Sequence, residues 1–402
     1  MSLRLGYLVP EFPSQTHAFF WREISALRRS GVDVRLVSTR RPPASACRHE
    51  FAPAAISETH YIFPPSLPSL GGWAASGFPG ATRLLSYLGA LEASGVNNRL
   101  RQSGLVASAI DLVKWARVNR IDHVHVHSCA DAAHVLALAR RLGGPPYSLT
   151  LHGDLDVYGT DHRSKMKDAK FVCAVGNHLR QQILSKTDVS RDKVIVTCMG
   201  VETSELARLG TERSYAAGSL HLVTVARLNP AKGHIYALAA VHFCLQAGLD
   251  VHYTIAGEGP HRGVISSKID ELGIKDRVTM TGTLPESEVF RLLSVADAFV
   301  LSSTGLGEAW PVSVMEAMAT ALPVISSVIG ATPEMITSGE DGLLVPQANV
   351  QALASAISLL ASDANRRQKI GEAARRTAIK RFDVAVTAGT LRYAIQSGAV
   401  QR

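Results

Sequence analysis

The chain has 402 residues, 46% apolar and 19% charged, with a net charge of +8; that length exceeds what one hydrophobic core usually supports, so two domains are expected. No uninterrupted apolar stretch reaches the roughly 18–20 residues that span a bilayer, and residues 3–9 are too short for a signal peptide. The five cysteines (Cys47, Cys129, Cys173, Cys198 and Cys244) are scattered without metal-ligand spacing and read as structural thiols of a cytoplasmic protein. The charge is uneven: residues 1–200 hold 24 Lys/Arg against 15 Asp/Glu, while the remainder is close to neutral. A basic first half can serve an anionic substrate, anionic lipid or nucleic acid. Nucleic acid is set aside, because no recognised nucleic-acid module is present.

In chain order, strands are expected over residues 3–9, 32–38, 123–127, 147–152, 171–175 and 194–198, with helices over 19–29, 105–118, 132–141 and 179–186. A second series of strands follows at 220–226, 251–256, 278–281, 298–301, 322–326 and 342–345. Such alternation argues for an α/β fold of two doubly wound, Rossmann-like domains with parallel sheets, facing one another across a cleft. The expected division is 1–202, a polar linker at 203–219, a second domain at 220–381 and a last helix at 382–402. Residues 41–103 are the least regular, and their prolines and glycines argue against a long helix there. The apolar stretch 62–79 reads either as an insertion packed on its own domain or as a membrane or acceptor loop. In the second reading Trp73 and Phe78 enter the interface beside Arg40, Arg41, Arg48, Arg99 and Arg101. No GxGxxG turn follows the first strand, which disfavours a nicotinamide enzyme.

Three stretches carry chemistry. Arg227-Leu228-Asn229-Pro230-Ala231-Lys232-Gly233 follows a strand and precedes a helical run to about residue 248. Asn229 suits an N-cap and Pro230 the first helical position. A lysine in the first turn would oppose the macrodipole, a cost that an anion shared by Arg227, Lys232 and free N–H groups would offset. Gly257-Glu258-Gly259-Pro260 is a turn that lets a ligand approach backbone closely. Glu308 and Glu316 flank Pro311, which cannot sit inside a helix, so the strand ends near Ser302, a loop carries Glu308 and a helix from Val312 carries Glu316. Both carboxylates then border the carboxyl end of a parallel strand, where open α/β sheets bind ligands.

Arg227-x4-Lys232-Gly233, Gly257-x-Gly259-Pro260, Arg277-Val278-x3-Gly282 and Glu308-x7-Glu316-Ala317-Met318-Ala319-x3-Pro323-Val324 come in order and at familiar spacing. Together they resemble the retaining GT-B glycosyltransferases of the group-1, family-4 type, over nearly the whole chain. The resemblance implies that Arg227 and Lys232 hold the donor diphosphate, Glu316 the ribose and Glu308 the transferred sugar. Backbone of Ala309, Trp310, Pro311 and Val312 would line sugar and phosphates, Gly257 and Gly259 would border the donor, and backbone around Thr281 and Gly282 would meet the base. His152, in Leu149-Thr150-Leu151-His152-Gly153-Asp154, looks like the family's active-site histidine. His125 and His127 read as pocket or packing residues. Met199-Gly200-Val201-Glu202 resembles a turn that closes the donor pocket, and Arg381-Phe382-Asp383 through Ala394 looks like the C-terminal helix that crosses back onto the first domain in this family. Pro10-Glu11-Phe12-Pro13-Ser14-Gln15-Thr16-His17-Ala18-Phe19-Phe20-Trp21-Arg22-Glu23 departs from the family's Gly-Gly loop and looks like the opening of exopolysaccharide and colanic-acid-type members. Gln15 or Thr16 would then supply phosphate contacts, with Asp154 on the acceptor side.

The implied activity is transfer of a sugar from a nucleoside diphosphate sugar, UDP- or GDP-linked, to an acceptor hydroxyl with retention. No cofactor and no metal are expected. The acceptor would be a lipid-linked saccharide at an anionic membrane face in polysaccharide biosynthesis, or a soluble small molecule. A nucleotide-sugar epimerase and a non-catalytic sugar-nucleotide-binding module remain as rivals.

Overall fold

The computed structural model describes residues 2–66, 77–92, 96–209, 219–305 and 308–398. The chain divides into two compact units, one formed by Met1–Cys198 with Thr387–Arg402 and the other by Met199–Val386. Of the expected linker, residues 203–209 form a helix, Thr203–Leu209, and residues 210–218 lie outside the described part.

The first unit is built on a seven-stranded sheet of β1 (Arg4–Leu8), β2 (Asp33–Arg40), β3 (His60–Phe63), β4 (His123–Val126), β5 (Tyr147–Leu151), β6 (Val172–Ala174) and β7 (Val194–Val196). Its spatial order is β3-β2-β1-β4-β5-β6-β7, and every pairing is parallel. β4 and β5 are buried along their whole length, as strands covered on both faces must be.

The second unit carries β8 (Ser219–Val225), β9 (Asp250–Ala256), β10 (Val278–Gly282), β11 (Ala298–Leu301), β12 (Val324–Ser327) and β13 (Leu343–Val345). These run in the order β10-β9-β8-β11-β12-β13, again all parallel. Its core joins Leu222, Val251, Ile255, Val300 and Ile325 from the sheet with Leu238, Val241 and Ile357 from the helices, all fully buried. Each such side chain contributes about 1.5–3 kcal/mol by leaving water. In both sheets the winding direction reverses between neighbouring strands, at β1/β4 and at β8/β11. The crevice outside the carboxyl ends at such a switch point is where open sheets take ligands.

Several elements differ from expectation. β3 was not anticipated, and the irregular 41–103 stretch contains the helix Gly77–Gly89 and the start of a 23-residue helix, Val96–Val118. Pro79 stands in the first turn of Gly77–Gly89, where a missing N–H leaves no bond unmade. Residues 67–76, with Trp73, lie outside the described residues, as does the side chain of Phe78. Of the arginines grouped with them, Arg40 is ion-paired with Glu11, Arg101 with Asp131 at 2.5 Å, and Arg41 lies over the ring of Tyr61. Among the described residues no helix is long and apolar enough to cross a membrane.

Candidate active site

In the second unit the site begins where β8 ends. The Asn229 side chain accepts from the Lys232 N–H at 3.1 Å, and Pro230–Lys232 forms a single 3-10 turn. The α-helix starts later, at His234. Lys232 therefore lies just ahead of the helix rather than in its first turn, still beside the helix's positive end. Gly257 has φ +148°, and a Cβ there would meet the Ala226 carbonyl oxygen at 1.9 Å; one at Gly259 would meet that of Leu228 at 2.3 Å. The close approach expected of a ligand is thus made first by the neighbouring turn. The Gly257 N–H donates to the Gly282 carbonyl at 2.9 Å, which ties the end of β9 to that of β10, and the Ala226 N–H to the Ala256 carbonyl at 3.0 Å, which ties in β8.

β11 supplies the other wall. The Ser302 hydroxyl donates to the Gly233 carbonyl at 2.9 Å, and the Thr304 N–H to that of Ala231 at 2.8 Å. The loop that follows returns Glu308 to Lys232, whose ammonium pairs with Glu308 Oε2. The Ser303 hydroxyl donates to the same oxygen at 2.9 Å. The pair is well shielded, with side-chain exposures of 18% for Lys232 and 10% for Glu308. Removing one partner of a pair so enclosed leaves an uncompensated charge, typically a loss of about 3–5 kcal/mol when burial is complete. Arg227, by contrast, is exposed, and its guanidinium has no ion-pair partner among the described residues.

Beyond Glu308 the chain turns inward. Ala309 is buried, and the Trp310 indole donates to Met315 Sδ at 3.1 Å while standing edge-on to Phe382. Trp310 can therefore serve a ligand only through its backbone. Pro311 precedes the helix Val312–Ala319 as its N-cap in extended conformation, and Glu316 lies buried one turn inside.

His152, Gln15, Thr16 and Asp154 belong to the first unit. His152 follows β5, and its N–H donates to the Tyr158 hydroxyl at 2.8 Å. Its ring packs among Phe19, Phe20 and His127. Burial drives its pKa well below the ordinary histidine value, with the neighbouring His127 adding to the effect. Gln15 is held to the 46–49 segment, its Oε1 accepting from the Arg48 N–H at 2.9 Å and its N–H donating to the Ala46 carbonyl. Thr16 is exposed. Asp154 accepts from Gln182 Nε2 at 2.6 Å, so it braces the turn after β5. His125 bonds Ser148 and Thr150 on β5, a packing role. No group of three or more His, Cys, Asp or Glu side chains among the described residues could hold a metal.

Sequence reasoning passed over Ser303, Gly330 and the role of Glu23. Gly330 (φ +53°) lies so close to the Glu308 carbonyl oxygen that a Cβ would stand 1.7 Å from it. Only the glycine in an otherwise ordinary loop could have signalled this.

Two parallel, switch-pointed α/β units with an Arg/Lys turn and a Glu-x7-Glu loop-helix define the GT-B class. A solved structure of Anabaena HepE in complex with UDP and glucose superposes with a TM-score of 0.74 at 17% identity, covering 98% of this chain and 100% of that one. Residues 216–377 match the family model of glycosyl transferases group 1, and residues 19–205 match that of Glycosyltransferase Family 4. The chain belongs to the group-1, family-4 glycosyltransferases. It is 36% identical over 173 residues to a putative colanic acid biosynthesis glycosyltransferase, WcaL, of Salmonella typhimurium, a match covering 42% of each chain. It is also 36% identical over 169 residues to the amylovoran biosynthesis glycosyltransferase AmsK of Erwinia amylovora, covering 41% of each. The matched stretch therefore spans about two-fifths of the length of these relatives.

Proposed function

We propose that the chain transfers a sugar from a nucleoside diphosphate sugar to an acceptor hydroxyl with retention of configuration. The observation that carries the reading is the enclosed Lys232–Glu308 pair beside the exposed Arg227, at the switch point of the second sheet. Without donor, each of the two charges occupies the other. A diphosphate brings about two negative charges, competes with Glu308 for Lys232 and gains Arg227 as well. Glu308 is then released to accept hydrogen bonds from hydroxyls of the transferred sugar, while Glu316 accepts those of the ribose. Arg227 and Lys232 stabilise the charge that develops on the departing nucleoside diphosphate. His152 meets the transferred sugar, and a phosphate oxygen of the leaving group takes the acceptor's proton.

The acceptor we infer is a lipid-linked saccharide in polysaccharide assembly. The names borne by the colanic acid and amylovoran relatives support this, as does the basic surplus of residues 1–200. UDP is the first nucleotide to try, since the Anabaena neighbour was crystallised with it. UDP-glucose and GDP-mannose consumption by wild type and Glu308→Ala tests the donor side; equal turnover in the two proteins would sink the assignment. Flotation with anionic liposomes at low salt tests the acceptor side, where protein that stays at the bottom of the gradient argues for a soluble acceptor.

A further inference from the structure

Three elements of the first unit converge on His152. Its Nε2 lies 3.0 Å from His127 Nδ1, at the end of β4. The other nitrogen of that ring, His127 Nε2, stands 3.2 Å from Glu23 Oε1 on the helix Ala18–Arg29, a close contact off the line of a hydrogen bond. The Tyr7 hydroxyl, from β1, donates to the same Glu23 oxygen at 2.7 Å. Glu23 (6% exposed), His127 (5%) and Tyr7 (1%) are all buried. A carboxylate placed so deep costs several kcal/mol unless its partners compensate, and an apolar side chain would fill the space without that cost. Such a carboxylate calls for a use.

Burial lowers the pKa of His127 to about 3 and that of His152 well below its ordinary value. His17 on the adjoining loop is likewise lowered to about 4, and His125, whose ring lies 4.7 Å from that of His127, is lowered well below its ordinary value. Each ring is therefore neutral at physiological pH and carries one proton, and the neighbours decide which nitrogen holds it. A carboxylate beside His127 Nε2 draws the proton there. His127 Nδ1 is then an acceptor, so His152 Nε2 must donate, and His152 Nδ1 keeps a bare lone pair. That atom is shielded from bulk water and has no hydrogen-bond partner among the described residues. An unsatisfied acceptor is costly, which suits one reserved for a hydroxyl donor.

We propose that Glu23, acting through His127, fixes His152 as the tautomer protonated on Nε2, which reserves Nδ1 as the acceptor for a substrate hydroxyl. Glu23, His127 and Tyr7 are positioning residues in this scheme, comparable in logic to a carboxylate that orients an active-site histidine. The scheme rests on the reading of His152 as a group that meets the transferred sugar. A protonated Glu23 would instead offer a proton to His127 Nε2, reverse the His127–His152 hydrogen bond and turn His152 Nδ1 into a donor, so the two states are distinguishable. Burial raises the Glu23 pKa, and the Tyr7 hydroxyl opposes the rise by donating to the charged form.

The direct test is 15N NMR of the histidine-labelled intact chain, with His127→Phe and His152→Ala used for assignment. Both rings should show a protonated Nε2 and a bare Nδ1; a proton on His152 Nδ1, or an average of the two tautomers, overturns the proposal. Kinetics with UDP-glucose supply the second readout. Glu23→Leu removes the oxygen beside His127 Nε2, and should lower kcat about 10–100-fold with KM changed by no more than about twofold. Glu23→Gln, which can leave an acceptor oxygen in the same place, should recover part of the loss. Because the residues act in series, Glu23→Leu with His127→Phe should be no worse than His127→Phe alone. Wild-type turnover in Glu23→Leu, or additive losses in the double variant, would reject the relay. A His152→Ala protein that consumes UDP-glucose at the wild-type rate would instead reject the active-site reading of His152, and the NMR result would still judge the relay.

Discussion

At the scale of single residues, Lys232 and Glu308 are the pair on which the donor site turns. Lys232→Ala should lower UDP-glucose turnover by about 10²–10³-fold, the range typical of losing one group that stabilises transition-state charge. Glu308→Ala should lower turnover as well, and it should also reduce stability because it strands the Lys232 ammonium. Urea denaturation checks the second effect, and an unchanged midpoint would show that the ammonium finds another anion. Gly330→Ala makes a sharper case, since its Cβ would collide with the carbonyl of Glu308 itself. We expect a loss of at least about 1–3 kcal/mol from the positive φ alone, accompanied by weaker donor consumption as the Glu308 loop shifts. Full activity in a folded Gly330→Ala protein would mean that the loop's position matters little. Lys232, Arg227 and Glu308 could be singled out in sequence because charge, proline and spacing are local properties. Gly330 and Ser303 were not, because their importance lies in which carbonyl or carboxylate they touch after folding.

At the scale of elements, most strands read clearly because buried parallel strands are short runs of Val, Ile, Leu and Ala between turn residues. β3 escaped because four residues, His60–Phe63, carry too little pattern to stand out. The helix Val96–Val118 was expected only from residue 105, since Asn97, Asn98, Arg99, Gln102, Ser103 and Gly104 give its first turns no apolar period. β4 has a distinct chemical consequence. It carries His123 and His125, and His127 follows it directly; burial lowers their pKa values to about 4, well below the ordinary value, and to about 3 respectively. Below the unfolded value near ~6.5 the unfolded chain takes up protons that the native strand refuses, so stability is complete above that pH and falls on acidification. Each histidine contributes a slope of about 1.4 kcal/mol per pH unit while it stays neutral in the native state. The urea midpoint of the first unit should therefore fall steeply between about pH 6 and pH 5. A flat profile over that range would place these histidines in contact with water or with a counter-charge.

At the scale of the whole molecule, the two units should answer to different ligands and different perturbations. UDP should raise the melting temperature of the unit that holds Lys232 and Glu308, by the equivalent of about 2.7 kcal/mol at a hundredfold excess over its Kd. Protection confined to residues 1–198 in hydrogen exchange would contradict the donor assignment. The two-unit plan was legible from the repeated alternation of strand and helix, but the division at Cys198/Met199 was not, because no compositional break marks it. That the chain's last part returns to the first unit came from the family resemblance alone, since composition gives no sign of it. The helix Val384–Ser397 starts in one unit and ends in the other, burying Ala388, Leu391 and Ala394 and sending the Arg392 guanidinium to the Ser30 carbonyl at 2.9 Å. That places a constraint on synthesis. The first unit leaves the ribosome lacking a piece that arrives only after roughly 190 further residues, a delay of about 10–40 s at ordinary elongation rates. During that interval the surface destined for Leu391 is bare, and a chaperone or a neighbouring nascent chain has time to find it.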